Sequence, residues 1–263
     1  MKANQTFDFT GQTVLVTGGA KGVGRGIVDA FLEAGATVII CGRNKPDHMP
    51  EGAHFIAADV RDHAAAPEIV KFAIGETGRL DCVINNAGGS PPADAASASP
   101  RFSESIIKLN LLAPLHLAQA AYEPLAASET GAIVNIGSVS GVRPSPGTAA
   151  YGAAKAGLLG LTRSLAMEWA PRVRVNAIIA GLVRTEASHA HYGGPEGVAY
   201  IESHLPMKRM AIPEDIAKAC LFLCAPSSTY VSGAALEVHG SGEPPSFLGL
   251  AEAALAAGET PQD

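Results

Sequence analysis

Short, mostly apolar runs alternate with amphipathic stretches along most of the chain. The runs Thr13–Thr17, Thr37–Cys41, His54–Ala58, Asp81–Ile84, Ala132–Ile136, Arg172–Ile179 and Ala235–His239 have the length and composition of strands buried on both faces. Between them, apolar positions recur at helical spacing: Ile27, Val28, Phe31 and Leu32, then Ile69, Val70, Phe72 and Ala73, and later Leu221, Phe222 and Leu223. Strands alternating with helices at this interval predict an α/β fold, a doubly wound parallel sheet of about seven strands with helices on both faces.

Three stretches depart from that rhythm. A long helical pattern from about Phe102 to Leu125 carries Asn110 in its interior and Pro114 after it. A kink or local break is expected there, with a freed carbonyl and a side-chain amide able to hold a water. From residue 186 to 210 the periodicity fades and His, Gly, Pro and Tyr become common, the composition of a mobile lid over a ligand. The tail, 241–263, holds a short Ala/Leu-rich helix candidate. Neither a linker nor a repeat divides the chain, so 1–263 is expected to be one domain.

Composition narrows the function classes. The chain has 263 residues, is 47% hydrophobic and carries a net charge of −6, which argues against nucleic acid or an anionic membrane as the main partner. No apolar stretch is long enough for a membrane span, and no signal segment opens the chain. Cys41, Cys82, Cys220 and Cys224 form no CxxC or Cys/His cluster, so no metal site is expected. A soluble cytoplasmic protein with reduced thiols fits these features.

The chemistry gathers at the ends of the runs. Thr17-Gly18-x-Ala20-Lys21-Gly22-Val23-Gly24 joins a strand to a helix, and such a turn brings free backbone N–H groups close to a pyrophosphate. The second run ends in Gly42-Arg43-Asn44, where an acid would select the ribose hydroxyl of NAD. Arg43 and Lys21 instead offer two cations, so NADP(H) is the favoured cofactor and NAD(H) remains possible. Asp59 and the turn Asn85-Asn86-Ala87-Gly88 fall at two further strand ends. Ser138 follows another, and Tyr151 and Lys155 stand one helical turn apart.

A Tyr and a Lys at this spacing are often only surface neighbours. They also make a proton donor: bringing a phenol from a pKa of about 10 to near 7 takes about 4 kcal/mol. A lysine cation about 4 Å away supplies a similar amount at an effective dielectric of about 20. Ser138 is not central in a GxSxG turn, which counts against a serine hydrolase.

The glycine turn, the NNAG turn, Asn110, Ser138, Tyr151 and Lys155, in this order, resemble the short-chain dehydrogenase/reductase family over roughly residues 8–243. The resemblance implies a Rossmann-type fold and an oxidoreductase that moves hydride between a nicotinamide cofactor and a carbonyl or secondary alcohol. It implies Tyr151 as acid/base, Ser138 as carbonyl polariser, Lys155 as the group that lowers the tyrosine pKa and binds ribose, and Asn110 as holder of a relay water. Asp59 and Val60 would contact adenine, and Gly181, Val183 and Thr185 would position the nicotinamide. Ala180 stands where the family commonly has proline, which is expected to loosen that turn. The close of the chain, GAALEVHGSGEPP, resembles actinobacterial members. A hydrophobic oxoacyl thioester or steroid-like ketone is the substrate class that 186–210 favours, and a homotetramer is the family's expected assembly. A non-catalytic NADP(H)-binding sensor or scaffold is the alternative.

Overall fold

A computed structural model describes residues 7–186, 188 and 192–258. Seven strands, β1 (Thr13–Thr17), β2 (Thr37–Gly42), β3 (Ala53–Ala57), β4 (Cys82–Asn85), β5 (Ala132–Ile136), β6 (Arg174–Ala180) and β7 (Ala235–Val238), form one sheet in the order β3-β2-β1-β4-β5-β6-β7. Every pairing is parallel. Each apolar run becomes a strand, with ends shifted by one or two residues. Because β1 lies between β2 and β4, the chain leaves it in opposite directions, and a crevice opens at the C-terminal ends of β1 and β4.

Two hydrophobic layers hold the sheet. On one face α1 (Gly22–Glu33) buries Ile27, Val28 and Phe31 against the helix Pro213–Cys224 and the sheet. On the other, α2 (Ala65–Thr77), α4 (Ala113–Ala126) and α5 (Ala149–Trp169) cover Leu15, Ile39, Val83, Ile133 and Val175. Two polar side chains packed into the core show how it is tied together. Asp81, fully buried, accepts from Thr13 N (2.8 Å), the Arg79 guanidinium (2.7 and 2.8 Å) and Ser128 Oγ. Arg174 donates to the carbonyls of Leu223, Cys224, Ser228 and Val231.

The long helix expected over Phe102–Leu125 is two helices, α3 (Pro100–Ile107) and α4, joined by a π turn at Lys108–Leu112. Pro114 sits in the first turn of α4 and causes the break at a distance. Its missing N–H is the donor that the Asn110 carbonyl would otherwise use.

The stretch 186–210, expected to be irregular, contains helix α6 (Gly194–His204). Val198 is its only buried residue among those described, so no apolar stripe marks it. Pro195 and Glu196 in its first turn are the start signal that periodicity alone overlooks. Residues 187 and 189–191 of that stretch lie outside the described residues. The next helix, α7 (Pro213–Cys224), begins as its Pro-Glu-Asp start predicts. The tail contains α8 (Ser246–Gly258), with Phe247, Leu250 and Leu255 exposed; residues 259–263 lie outside the described part. No helix of the described residues is long and apolar enough to cross a membrane.

Candidate active site

The crevice wall is built from two turns that hold each other. Thr17 Oγ1 accepts from Asn86 N and Ala87 N (both 3.0 Å), and Asn86 Nδ2 donates to Thr17 O (2.9 Å) and Gly18 O (3.3 Å). These side chains therefore serve the scaffold, fixing the glycine turn to the Asn-Asn-Ala-Gly turn. The packing is tight enough to require Gly24, since a Cβ there would stand 2.2 Å from Gly18 O. Gly22 takes φ +55, and the side chain of Lys21 at the α1 N-cap makes no capping hydrogen bond.

Gly88 is where that wall meets the catalytic cluster. A Cβ at Gly88 would lie 2.8 Å from Asn110 Oδ1 and 3.2 Å from Lys155 Nζ. Asn110 is fully buried. Its Oδ1 accepts from Gly89 N (2.9 Å), and its Nδ2 donates to Gly89 O and Ile106 O (both 3.0 Å). The amide, expected to hold a water, is thus committed to the backbone. Pro114 has no N–H to give the main-chain carbonyl of Asn110.

Ser138 begins a short 3-10 turn after β5, and its Oγ accepts from Ser140 N (3.1 Å), which leaves its O–H to donate. Glycines press that loop onto α5. A Cβ at Gly152 would meet Ser140 O at 2.9 Å, and one at Gly141 would meet the Lys155 carbonyl carbon at 2.8 Å. This contact brings Ser138 beside Tyr151.

Lys155 is 3% exposed and donates to Ile136 O at 2.7 Å, with Nζ 5.6 Å from the centre of the Tyr151 ring. Burial pulls its pKa down to about 8. In the protein alone burial raises the Tyr151 pKa, and hydrogen bonding with Ser138 opposes this. The lysine ammonium is held at a carbonyl, 5.6 Å from the ring centre.

At the other end of the crevice, Asp59 does not stand free as an adenine acceptor. Arg61 Nε donates to both of its oxygens (3.0 and 3.1 Å), and hydrogen bonding by Arg61 holds the carboxyl below its ordinary pKa, with Arg43 adding to the effect. Arg43 and Lys21 are exposed and Val60 is half-buried.

The turn after β6 is held by pairing on both sides of Ala180. Ala180 pairs in register with Val238, Gly181 N donates to Val238 O (3.2 Å), and Val183 bridges to Ala211. Thr185 packs against the glycine turn, its Cγ2 3.5 Å from where a Gly22 Cβ would be. Beside it lies a residue that no local pattern marks: Glu186 Oε1 accepts from Gly22 N at 3.4 Å. A carboxylate therefore already stands in for an anion at the α1 N-terminus, so the cradle fits the diphosphate of a dinucleotide.

A cavity of about 330 Å³ adjoins the Ser138 loop through Val139; Leu182, Leu205, Met207 and Val238 give it an apolar part, and Arg209, Asp215, Lys218, Glu237, His239 and Glu243 line the rest. Among the described residues no group of three His, Cys, Asp or Glu side chains is placed to hold a metal ion.

Residues 18–240 match the family described as enoyl-(acyl carrier protein) reductase, and the chain belongs to the short-chain dehydrogenase/reductase family. It is 35% identical over 245 residues to an uncharacterized oxidoreductase of Mycobacterium tuberculosis, covering 89% of this chain and 93% of that one. It is 33% identical to a 3-oxoacyl-(acyl-carrier-protein) reductase of Chlamydia muridarum, over 87% of this chain and 96% of the relative. Among solved structures it resembles the aldohexose dehydrogenase of Thermoplasma acidophilum, with TM-score 0.84, 26% identity and coverage of 90% and 94%. Membership makes the protein an NAD(P)-dependent oxidoreductase, and the serine-hydrolase and pure-scaffold readings fall away.

Proposed function

We propose that the protein is a carbonyl reductase that prefers NADP(H) and acts on a hydrophobic oxoacyl thioester or steroid-like ketone, with Tyr151 as its acid. The observation that carries this reading is the pairing of the half-buried Tyr151 phenol with the Ser138 hydroxyl at the C-terminal end of β5, one helical turn from a buried lysine. Bound NAD(P)(H) supplies the hydride. As the carbonyl oxygen gains charge, Tyr151 Oη gives it a proton and Ser138 Oγ–H donates a hydrogen bond to it. A phenol whose pKa burial raises suits this direction over alcohol oxidation, which needs a base. Lys155, with a pKa of about 8, carries an exchangeable proton near neutral pH and is the source that restores Tyr151. The carbonyl of Asn110 holds the relay water, because its side-chain amide is committed to Gly89 and Ile106.

For the cofactor, Gly18, Ala20, Gly22, Val23 and Gly24 form the diphosphate cradle, and Lys21 and Arg43 take the 2′-phosphate. Main-chain groups at Asp59 and Val60 line the adenine, since the Asp59 carboxylate is held by Arg61. Thr17, Asn86, Ala87 and Gly88 form the wall, Lys155 and Tyr151 meet the nicotinamide ribose, and Gly181, Val183 and Thr185 hold the carboxamide. The apolar part of the cavity beside Val139, formed by Leu182, Leu205, Met207 and Val238, supports a hydrophobic substrate, and the likeness to an acyl-carrier-protein reductase supports an oxoacyl group. The chain works as one cytoplasmic domain, 186–210 covering the substrate and the 241–263 tail reaching a neighbour in a homotetramer.

The test is an NADPH- and NADH-linked screen of oxoacyl, steroid and polyol panels with wild type and Tyr151→Phe. Turnover of an oxoacyl or steroid ketone, falling at least a hundredfold in the variant while cofactor binding persists, is expected. Unchanged turnover in Tyr151→Phe, or activity on polyols alone, would overturn the assignment of acid or substrate respectively.

A further inference from the structure

We propose that Glu186 is a built-in competitor for the diphosphate of the cofactor, occupying its place on the glycine turn and speeding its release. The proposal rests on the dinucleotide reading above. Helix α1 has no acid in its first turn and no side-chain cap from Lys21, so its leading N–H groups need an acceptor from elsewhere. Glu186 supplies one from the far side of the crevice, 164 positions along the chain, with Oε1 3.4 Å from Gly22 N. Its other oxygen lies 3.9 Å from where a Gly22 Cβ would be, beside the Thr185 methyl at 3.5 Å. The contact is long and its residue exposed, which makes it a weak, displaceable bond.

A carboxylate and a diphosphate cannot share this N–H. Both are anions drawn by the same helix terminus, and at such separations like charges repel strongly enough to expel the weaker ligand. Binding of the dinucleotide therefore requires Glu186 to leave, and departure of the dinucleotide lets it return. Since Glu186 directly follows Thr185, the displaced group is tethered to the segment proposed to hold the carboxamide. The competition thus reaches both halves of the cofactor.

The test compares wild type, Glu186→Gln and Glu68→Gln, the last an exposed acid in the first turn of α2 that leaves the cradle untouched. Dissociation constants for NADPH, NADP+ and NADH are measured by titration, and NADPH release by stopped-flow displacement. Glu186→Gln is expected to bind all three about tenfold more tightly and to release NADPH correspondingly more slowly. The gain shrinks in about 0.5 M salt as screening removes the repulsion, and Glu68→Gln matches wild type. Equal or weaker binding by Glu186→Gln, or the same gain in Glu68→Gln, overturns the proposal and leaves the dinucleotide reading standing. Failure of wild type to bind any of the three overturns both.

Discussion

Replacing Lys155 with methionine separates what the buried ammonium does for chemistry from what it does to stability. The side chain is 3% exposed, and burial lowers its pKa from 10.5 to about 8. That interval corresponds to about 3 kcal/mol of unfavourable free energy for carrying the charge in the folded state. Against it stands the charge-assisted bond to Ile136 O at 2.7 Å, worth about 1.5–3 kcal/mol. Methionine removes both, so Lys155→Met is expected to unfold within about 1–2 kcal/mol of wild type at pH 7. The pH dependence is the sharper signature. The folded-state pKa lies below the unfolded one, so below pH 8 both states hold the proton and wild type bears the full penalty. Between about pH 8 and 10.5 the folded protein is deprotonated while the unfolded chain is still protonated, and wild-type stability rises through that window. Urea unfolding of both proteins at pH 7 and pH 10 should show wild type gaining roughly 2–3 kcal/mol relative to Lys155→Met. Parallel behaviour of the two proteins would refute the burial argument. Turnover of Lys155→Met should fall at least about a hundredfold at pH 7, and the difference should narrow at pH 10, where wild-type Lys155 has itself lost its proton.

Two further outcomes follow from the same geometry. Burial opposes ionisation of Asp81, but Arg79, Ser128 and Thr13 N outweigh it and hold its pKa below the ordinary 3.8. Its stabilising contribution is therefore present above that value and lost as the pH falls through the depressed folded value. Asp81→Asn should cost about 1–2 kcal/mol at pH 7, measured by urea unfolding, because the amide cannot accept all the bonds that the buried carboxylate takes from Thr13 N, Ser128 and Arg79, while the half-exposed Arg79 returns to solvent; a cost below about 0.5 kcal/mol would show that the pair is dispensable. Substituting both Lys21 and Arg43 with alanine should lower kcat/KM for NADPH at least about tenfold with little change for NADH; equal losses with the two cofactors would remove these cations from the 2′-phosphate site.

Periodicity and strand-end residues made most of the architecture readable in advance. The seven runs are apolar because a parallel sheet covered on both faces gives their side chains nowhere else to go. The YxxxK spacing placed Tyr151 and Lys155 on one helical face without reference to the rest of the chain. Helix α6 was hidden because a helix with Val198 as its one buried residue, among those described, has almost no apolar stripe. The commitment of the Asn110 amide to Gly89 was equally invisible, since it joins groups from two separate connections.

The chain by itself determined the doubly wound sheet, the glycine turn and the spacing of Tyr151 and Lys155 on one helix, because these depend on local spacing and on which residues must be buried. Tertiary structure decided their electrostatics. How readily Tyr151 ionises depends on its surroundings and on where the lysine ammonium is held, and the fold half-buries the one and ties the other to Ile136. It also decided that Glu186, remote in sequence from Gly22, reaches the cradle. No local pattern encodes an ion's solvation or its distance from a distant turn; those are properties of the packed whole.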